Sequence, residues 1–128
     1  NNRSAQFRLP QSRYCIENRA ADMCMNVYLG LAMSMTAAVK GITNKMEPGP
    51  ATDRDLYSMT DEEFDEAGIR RLPRNLMVAT EALRADELAA EVMGATMHKS
   101  YLAYKVDEWE RYHQTVTDWE VTEYLRLY

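Results

Sequence analysis

The chain has 128 residues, 46% of them hydrophobic and 27% charged, which predicts a soluble globular domain rather than a disordered segment. Its net charge of −5 argues against nucleic acid as a partner, because phosphate contacts need clustered lysine and arginine. No apolar run approaches the roughly 20 residues of a membrane-spanning helix, so no membrane partner is expected. The two cysteines, Cys15 and Cys24, are too few for a disulfide framework and favour reduced thiols in a cytoplasmic protein.

The beginning of the chain contains two short runs, 5–9 and 14–18, in which apolar and polar residues alternate. This period of two, with Pro10 between the runs as a turn signal, predicts two strands in an antiparallel pair. Arg8 lies inside the first run and Glu17 inside the second. Such charges face either solvent or a polar cavity, and composition by itself favours solvent.

A segment rich in small residues and methionine follows, and it predicts a helix from the N-cap residue Asn26 to about Thr43, with Gly41 as a stop signal. Apolar residues lie almost all round this helix, so we expect it to be buried between other elements. Its methionines are interpreted as packing residues rather than ligands.

Two prolines and a glycine at 48–50 then interrupt regular structure. Thr60 and Glu63 have the spacing of a capping box, which predicts a short helix that ends at Gly68. Asn75 is predicted to cap the helix after that.

The last third of the chain is predicted to be helical. A short acidic helix over 85–93 is interrupted by Gly94, and a long amphipathic helix covers 95–113. Thr117 begins a final helix. The predicted fold class is therefore α+β and mainly helical, with a short antiparallel strand pair at the start.

Five short stretches resemble motifs of the glutamine synthetase family. Asn-Arg-Ser-Ala-Gln-Phe-Arg-Leu-Pro resembles N-R-S-A-x-[IFV]-R-[IL]-P, and Ile-Glu-Asn-Arg resembles the end of R-[IVF]-E-x-R. The similar stretches are 2–10, 16–19, 26–29, 39–49 and 55–63. Because they occur in the family's order at compatible spacing, the chain, 1–128, is identified as the C-terminal part of a glutamine synthetase catalytic domain. The family's N-terminal β-grasp domain and the rest of the catalytic domain are not in this sequence.

The resemblance implies an enzyme that phosphorylates the γ-carboxylate of glutamate with ATP, after which ammonia or a small amine attacks the γ-glutamyl phosphate. It also implies Mg²⁺ or Mn²⁺ as the metal and a homo-oligomeric ring for the full-length protein. The sequences of 16–20 and of 117–120 favour a branch of the family that makes γ-glutamylamides. This chain alone is expected to be inactive, since most of the family's metal ligands lie outside it.

Four residues receive roles from the same resemblance. Arg3 and Arg8 are expected to contact the nucleotide phosphates, and Glu17 to be a metal ligand. Arg19, the second expected catalytic residue with Arg3, would hold the glutamyl phosphate. These residue types suit the chemistry, because a planar guanidinium binds phosphate bidentately and a carboxylate oxygen suits Mg²⁺.

Some positions depart from the family pattern or leave their role open. Cys15 stands where the family usually has a nucleotide-binding arginine. Tyr57 corresponds to a tyrosine that some bacterial members adenylylate, although an unmodified residue is favoured. His98 and His113 have no ligand partners at suitable spacing. Two alternatives to a ligase remain: a non-catalytic helical interaction module that assembles through 95–128, or an inactive synthetase-like protein.

Overall fold

The computed structural model describes residues 2–127, and the chain divides into two compact units, 1–71 and 72–128. The first unit contains a two-stranded antiparallel sheet and two helices, and the second contains three helices. The predicted α+β class, mainly helical with a strand pair at the start, is confirmed. Among residues 2–127, no helix is both long enough and apolar enough to cross a membrane.

The sheet of the first unit consists of β1 (Phe7–Arg8) and β2 (Glu17–Asn18). Phe7 lies opposite Asn18 and Arg8 lies opposite Glu17. The antiparallel pair is confirmed, but each strand has two residues instead of the predicted five. Pro10 contributes to the early end of β1, because proline has no N–H to donate to a partner strand.

Helix α1 (Val27–Thr43) begins as predicted, with Asn26 as its N-cap. The side-chain oxygen of Asn26 accepts hydrogen bonds from the backbone N–H groups of Tyr28 and Leu29, at 3.1 and 3.2 Å. The helix ends at Thr43, as predicted, but Gly41 lies inside it and is not its stop signal. The residue with a left-handed backbone after the helix is Lys45, with φ of 51°.

The predicted burial of α1 is also wrong, because none of its residues is buried. Its exposed large side chains lie along one face of the helix, among them Val27, Leu31, Met35, Val39 and Ile42. Apolar residues all round a helix predict that it needs partners, but they do not say whether those partners are in the same stretch of chain. Residues 2–127 do not supply enough packing partners to bury any residue of α1.

A turn of 3₁₀ helix at Leu56–Ser58 leads to Met59, the one buried apolar residue among residues 2–71, and then to α2 (Asp61–Glu66). The predicted capping box is confirmed: Glu63 N–H donates to the Thr60 hydroxyl at 3.3 Å, and Thr60 N–H donates to the Glu63 carboxylate at 2.8 Å. Gly68, with φ of 63°, follows the helix as predicted.

The second unit contains α3 (Leu76–Ala85), α4 (Glu87–His113) and α5 (Asp118–Tyr124). The predicted caps are confirmed, since Asn75 accepts from Val78 N–H at 2.9 Å and Thr117 forms a capping box with Glu120. α3 packs against α4, where three side chains are buried: Thr80, Ala89 and Leu102. Gly94 has φ of 71° and ψ of 158°, so it breaks α4 where the sequence predicts an interruption.

Candidate functional site

The candidate site begins where the register of the strand pair places Arg8 opposite Glu17. Nη1 of Arg8 lies 3.2 Å from Oε2 and 3.4 Å from Oε1 of Glu17, so one guanidinium nitrogen is shared by both carboxylate oxygens. The two side chains are 22% and 29% exposed. Their interaction is therefore less screened by water than that of a surface pair.

Arg19 contacts the same carboxylate from the other side. Its Nη1 lies 3.0 Å from Oε1 of Glu17, which confirms that residues 17 and 19 face the same way. Its Nε donates to the backbone carbonyl of Arg3 at 3.2 Å, and its backbone N–H donates to Gln6 at 2.8 Å. Glu17 is thus held between two guanidinium groups, and Arg19 also bonds the backbone of Arg3.

The Nε of Arg8 is buried and has no hydrogen-bond partner among residues 2–127. A buried donor of this kind is uncommon, because it has lost its water without gaining an acceptor. An anionic oxygen beside Arg8 would satisfy it. Arg8 therefore uses Nη1 for Glu17, while its buried Nε is a donor that still lacks an acceptor.

Arg3 lies close to this group but is placed differently. Its backbone carbonyl accepts from Arg19, whereas its side chain is exposed, and no carboxylate of residues 2–127 pairs with it. The structure thus joins Arg8, Glu17 and Arg19 through their side chains, and Arg3 through its main chain.

A comparison with models of protein families identifies the domain to which these residues belong. A family model described as the catalytic domain of glutamine synthetase matches residues 1–124. The chain belongs to the glutamine synthetase family. The resemblance found in five motifs is therefore confirmed over nearly the whole chain, including the helices of the second unit.

Individual relatives give the same assignment. A glutamine synthetase of Thermus thermophilus is 39% identical across 99% of the chain, and one of Methanosarcina mazei is 35% identical across 98%. A glutamate–methylamine ligase of Methyloversatilis universalis is 37% identical across 100% of the chain. The chain spans only 28 to 29% of the length of these relatives.

The glutamine synthetase family implies a divalent metal, and one residue of the site fits it. Glu17 offers two hard carboxylate oxygens of the kind that Mg²⁺ or Mn²⁺ prefers. Residues 2–127 contain no group of three or more His, Cys, Asp or Glu side chains able to hold an ion. Glu17 therefore fits as a single ligand, and further ligands would have to come from outside these residues.

The histidines and cysteines lie outside the arginine and glutamate cluster. His98 Nε2 is 3.0 Å from the carbonyl of Leu83, and His113 Nδ1 is 3.1 Å from that of Trp109. The first contact joins α4 to α3, and the second lies within α4. Cys15 and Cys24 are exposed free thiols, so Cys15 presents no donor comparable to the arginine usual at its position.

Sequence reasoning missed two residues that surround Arg3. Asn2 and Ser4 belong to the first motif, but the sequence predicts no role for them. Their side chains form hydrogen bonds with each other and with a segment some 50 residues further along the chain. A local signal was present, because asparagine and serine next to an irregular segment often bond neighbouring backbone. The distant partner could not be read from that signal.

Proposed function

We propose that residues 1–128 form the C-terminal part of the catalytic domain of an ATP-dependent ligase, which joins ammonia or a small amine to the γ-carboxylate of glutamate. The observation that carries this proposal is Glu17 held between Arg8 and Arg19, with the Nε of Arg8 buried and unpartnered among residues 2–127. Such a cluster combines a metal ligand with donors for phosphate oxygens. Membership of the glutamine synthetase family supports the reaction type.

Arg8 and Arg3 bind the nucleotide phosphates in this proposal. The guanidinium of Arg8 is held by Glu17 through Nη1, and its buried Nε is a donor that an incoming oxygen would satisfy. Arg3 is exposed and free to turn toward an anion. The positive charge and planar fork of each guanidinium suit it to a phosphate.

Glu17 has the role of a metal ligand. A divalent ion bound there, Mg²⁺ or Mn²⁺, would neutralise part of the phosphate charge. The carboxylate is held by Arg8 of β1 and by Arg19, which directly follows β2, so its direction is fixed before a metal arrives. Since each oxygen of Glu17 already contacts a guanidinium, metal binding must compete with these contacts or share the oxygens.

Arg19 stabilises the reacting carboxylate and phosphoryl group. In the first step, an oxygen of the glutamate γ-carboxylate forms a bond to the γ-phosphorus of ATP, and the bond from that phosphorus to ADP breaks. In the second step, the amine nitrogen attacks the carbonyl carbon, phosphate leaves, and a proton is lost from nitrogen. Negative charge on the transferred group grows beside the guanidinium, where a preorganised cation is most effective.

A nucleotide-binding assay with and without Mg²⁺ tests the site in the protein expressed from its own gene. In the wild-type protein Mg²⁺ should tighten ATP binding, and in Glu17→Ala this metal effect should fall at least about tenfold, since a metal ligand is lost. The matched control is Glu66→Gln, because Glu66 is an exposed carboxylate of α2. An unchanged metal effect in Glu17→Ala would rule out the proposed ligand.

The amine acceptor is tested separately, with glutamate, ATP and either ammonia, methylamine or putrescine. The relatives include both glutamine synthetases and a glutamate–methylamine ligase, so both kinds of acceptor are candidates. The sequences of 16–20 and of 117–120 favour a γ-glutamylamide product. Phosphate release with ammonia alone would assign the chain to the ammonia-using branch.

Exposed apolar side chains in the second unit support a homo-oligomer, and we propose the ring expected from the family. Large examples are Tyr112, Trp119 and Leu125. An exposed tryptophan and its neighbours are typical of interaction surfaces. Mass photometry of the native protein should show a multiple of the subunit mass, and a monomer at micromolar concentration would contradict the proposal.

A further inference from the structure

We propose that Asn2 and Ser4 are positioning residues, which set the affinity for nucleotide by fixing the backbone of Arg3 against a distant segment. We call Asn2, Ser4 and the backbone of 52–56 the clasp. This assignment rests on the proposed function, because Arg3 is the residue that would meet the phosphates.

The side-chain amide of Asn2 forms the first half of the clasp. Its Nδ2 donates to the carbonyls of Thr52 and Arg54, at 2.9 and 2.8 Å. Its Oδ1 accepts from the backbone N–H and from the hydroxyl of Ser4. Both protons and both acceptor positions of the amide are therefore used. The two carbonyl partners also fix the orientation of the Asn2 amide, because a flipped amide would place Oδ1 against the carbonyl oxygens of Thr52 and Arg54.

The hydroxyl of Ser4 forms the second half. It accepts from the backbone N–H of Leu56 at 3.0 Å and donates to Oδ1 of Asn2. The two bonds run in one direction, from Leu56 through Ser4 to Asn2. A side chain at position 4 must donate and accept at once to complete this relay, which alanine cannot do.

Arg3 lies between the two halves of the clasp. The bond from Ser4 N–H to Asn2 Oδ1, 2.8 Å long, closes a turn around Arg3, and Arg19 holds its carbonyl. The backbone of Arg3 is thus held by this turn and by Arg19, while its side chain is exposed. An anchored backbone leaves less freedom to lose when the guanidinium binds an anion, and this favours affinity.

The segment that receives these bonds is itself anchored. Arg54 Nη2 lies 3.0 Å from the Glu63 carboxylate, and Glu63 closes the capping box of α2. Met59, three residues after Leu56, is buried. The clasp therefore ties Arg3 to α2 rather than to a loose loop. A simple attachment of the chain's first residues would also explain the bonds, but it would not make the effect of Ser4 depend on Arg3.

A double-mutant cycle on the protein expressed from its own gene separates the two explanations. Ser4→Ala should raise the KM for ATP about threefold to tenfold with a smaller change in kcat, because the two hydrogen bonds of its hydroxyl, which preorganise Arg3, are lost. In an Arg3→Ala background, Ser4→Ala should raise that KM no further. Ser12→Ala, an exposed serine in the turn before β2, is the matched control and should leave KM unchanged.

Amide hydrogen exchange at 52–57 provides a readout that does not need activity, since Leu56 N–H loses its acceptor in Ser4→Ala and should exchange faster. Faster exchange with an unchanged KM, or equal effects of Ser4→Ala in both backgrounds, would overturn the positioning role. If Arg3→Ala alone leaves KM unchanged, the proposed role of Arg3 fails, and this assignment fails with it. Asn2→Ala, with the same expectations, replaces Ser4→Ala if that variant does not fold.

Discussion

Two guanidinium groups share the carboxylate of Glu17, yet they are bound to it in different ways. Arg8 uses one nitrogen for both oxygens, whereas Arg19 uses one nitrogen for one oxygen and a second for a backbone carbonyl. Removing Glu17 would therefore leave both guanidinium groups without an anionic partner. Conservative changes at the arginines are more informative, because they keep the charge and alter only the donors.

Arg8→Lys is expected to weaken nucleotide binding while the fold survives. Lysine can keep one contact to Glu17, but it has no counterpart of the buried Nε. We expect the KM for ATP to rise about tenfold, as for the loss of one charge-assisted hydrogen bond. The free energy of unfolding should fall by less than about 1 kcal/mol, because the pair is partly solvated.

Steady-state kinetics and thermal unfolding measure the two effects on the same variant. Arg84→Lys is the matched control, since Arg84 pairs with Glu81 in α3 and has no part in the site. A wild-type KM in Arg8→Lys would contradict the assignment of Nε as a ligand donor.

At the scale of the elements, sequence prediction succeeded where the deciding interactions are local. Asn26, Thr60, Asn75 and Thr117 all cap helices as predicted, because a cap depends on residues within one turn. The clasp around Arg3 depends on partners some 50 residues further along the chain and could not be predicted in this way. The site roles came from resemblance, since alternation alone favoured a solvated strand pair.

Gly94 and Gly41 should respond in opposite directions to alanine. An added Cβ would meet nothing within 4 Å at either position, so only the backbone differs. Gly94 has φ of 71° and ψ of 158°, a conformation nearly restricted to glycine, so Gly94→Ala should destabilise the protein by about 1–3 kcal/mol. Gly41 is helical, so Gly41→Ala should stabilise it by about 0.5–1 kcal/mol.

Urea unfolding followed by circular dichroism compares these two variants with the wild-type protein. Equal effects of the two substitutions would show that the break at Gly94 does not require its backbone conformation, and that α4 can be continuous.

The capping box of α2 should weaken in acid. The Thr60 backbone N–H, followed by the Arg54 guanidinium, lowers the pKa of Glu63 below its ordinary value. A lowered folded-state pKa means that Glu63 stabilises the fold above its unfolded-state pKa. This contribution is lost as the pH falls through the folded-state pKa.

Unfolding midpoints of the wild-type protein and of Glu63→Gln, measured from neutral to acidic pH, test this sign. The difference between them should be largest near neutral pH and should narrow in acid, when the wild-type carboxyl is protonated too. Glu62→Gln, one residue away and outside the capping box, is the control. A difference that stays constant over the whole range would mean that the charge of Glu63 adds nothing.

At the scale of the whole molecule, the distribution of apolar side chains agrees with the proposal that residues 1–128 are one part of a larger catalytic domain. Residues 2–71 bury a single apolar side chain, that of Met59, while α1 buries none. A helix that is apolar on all sides gains stability only by contact with other elements. In the complete protein, α1 should therefore be covered by segments that lie outside this sequence.

Methionine oxidation can measure this covering, because hydrogen peroxide converts accessible methionine to the sulfoxide and mass spectrometry locates the product. Met35 of α1 is 60% exposed and should react quickly in the 128-residue chain, but slowly in the protein expressed from its own gene. Met59 is 9% exposed and should react slowly in both, which also shows that the shorter chain is folded. Equal, fast oxidation of Met35 in the two proteins would mean that α1 remains uncovered, and that the larger domain does not enclose it.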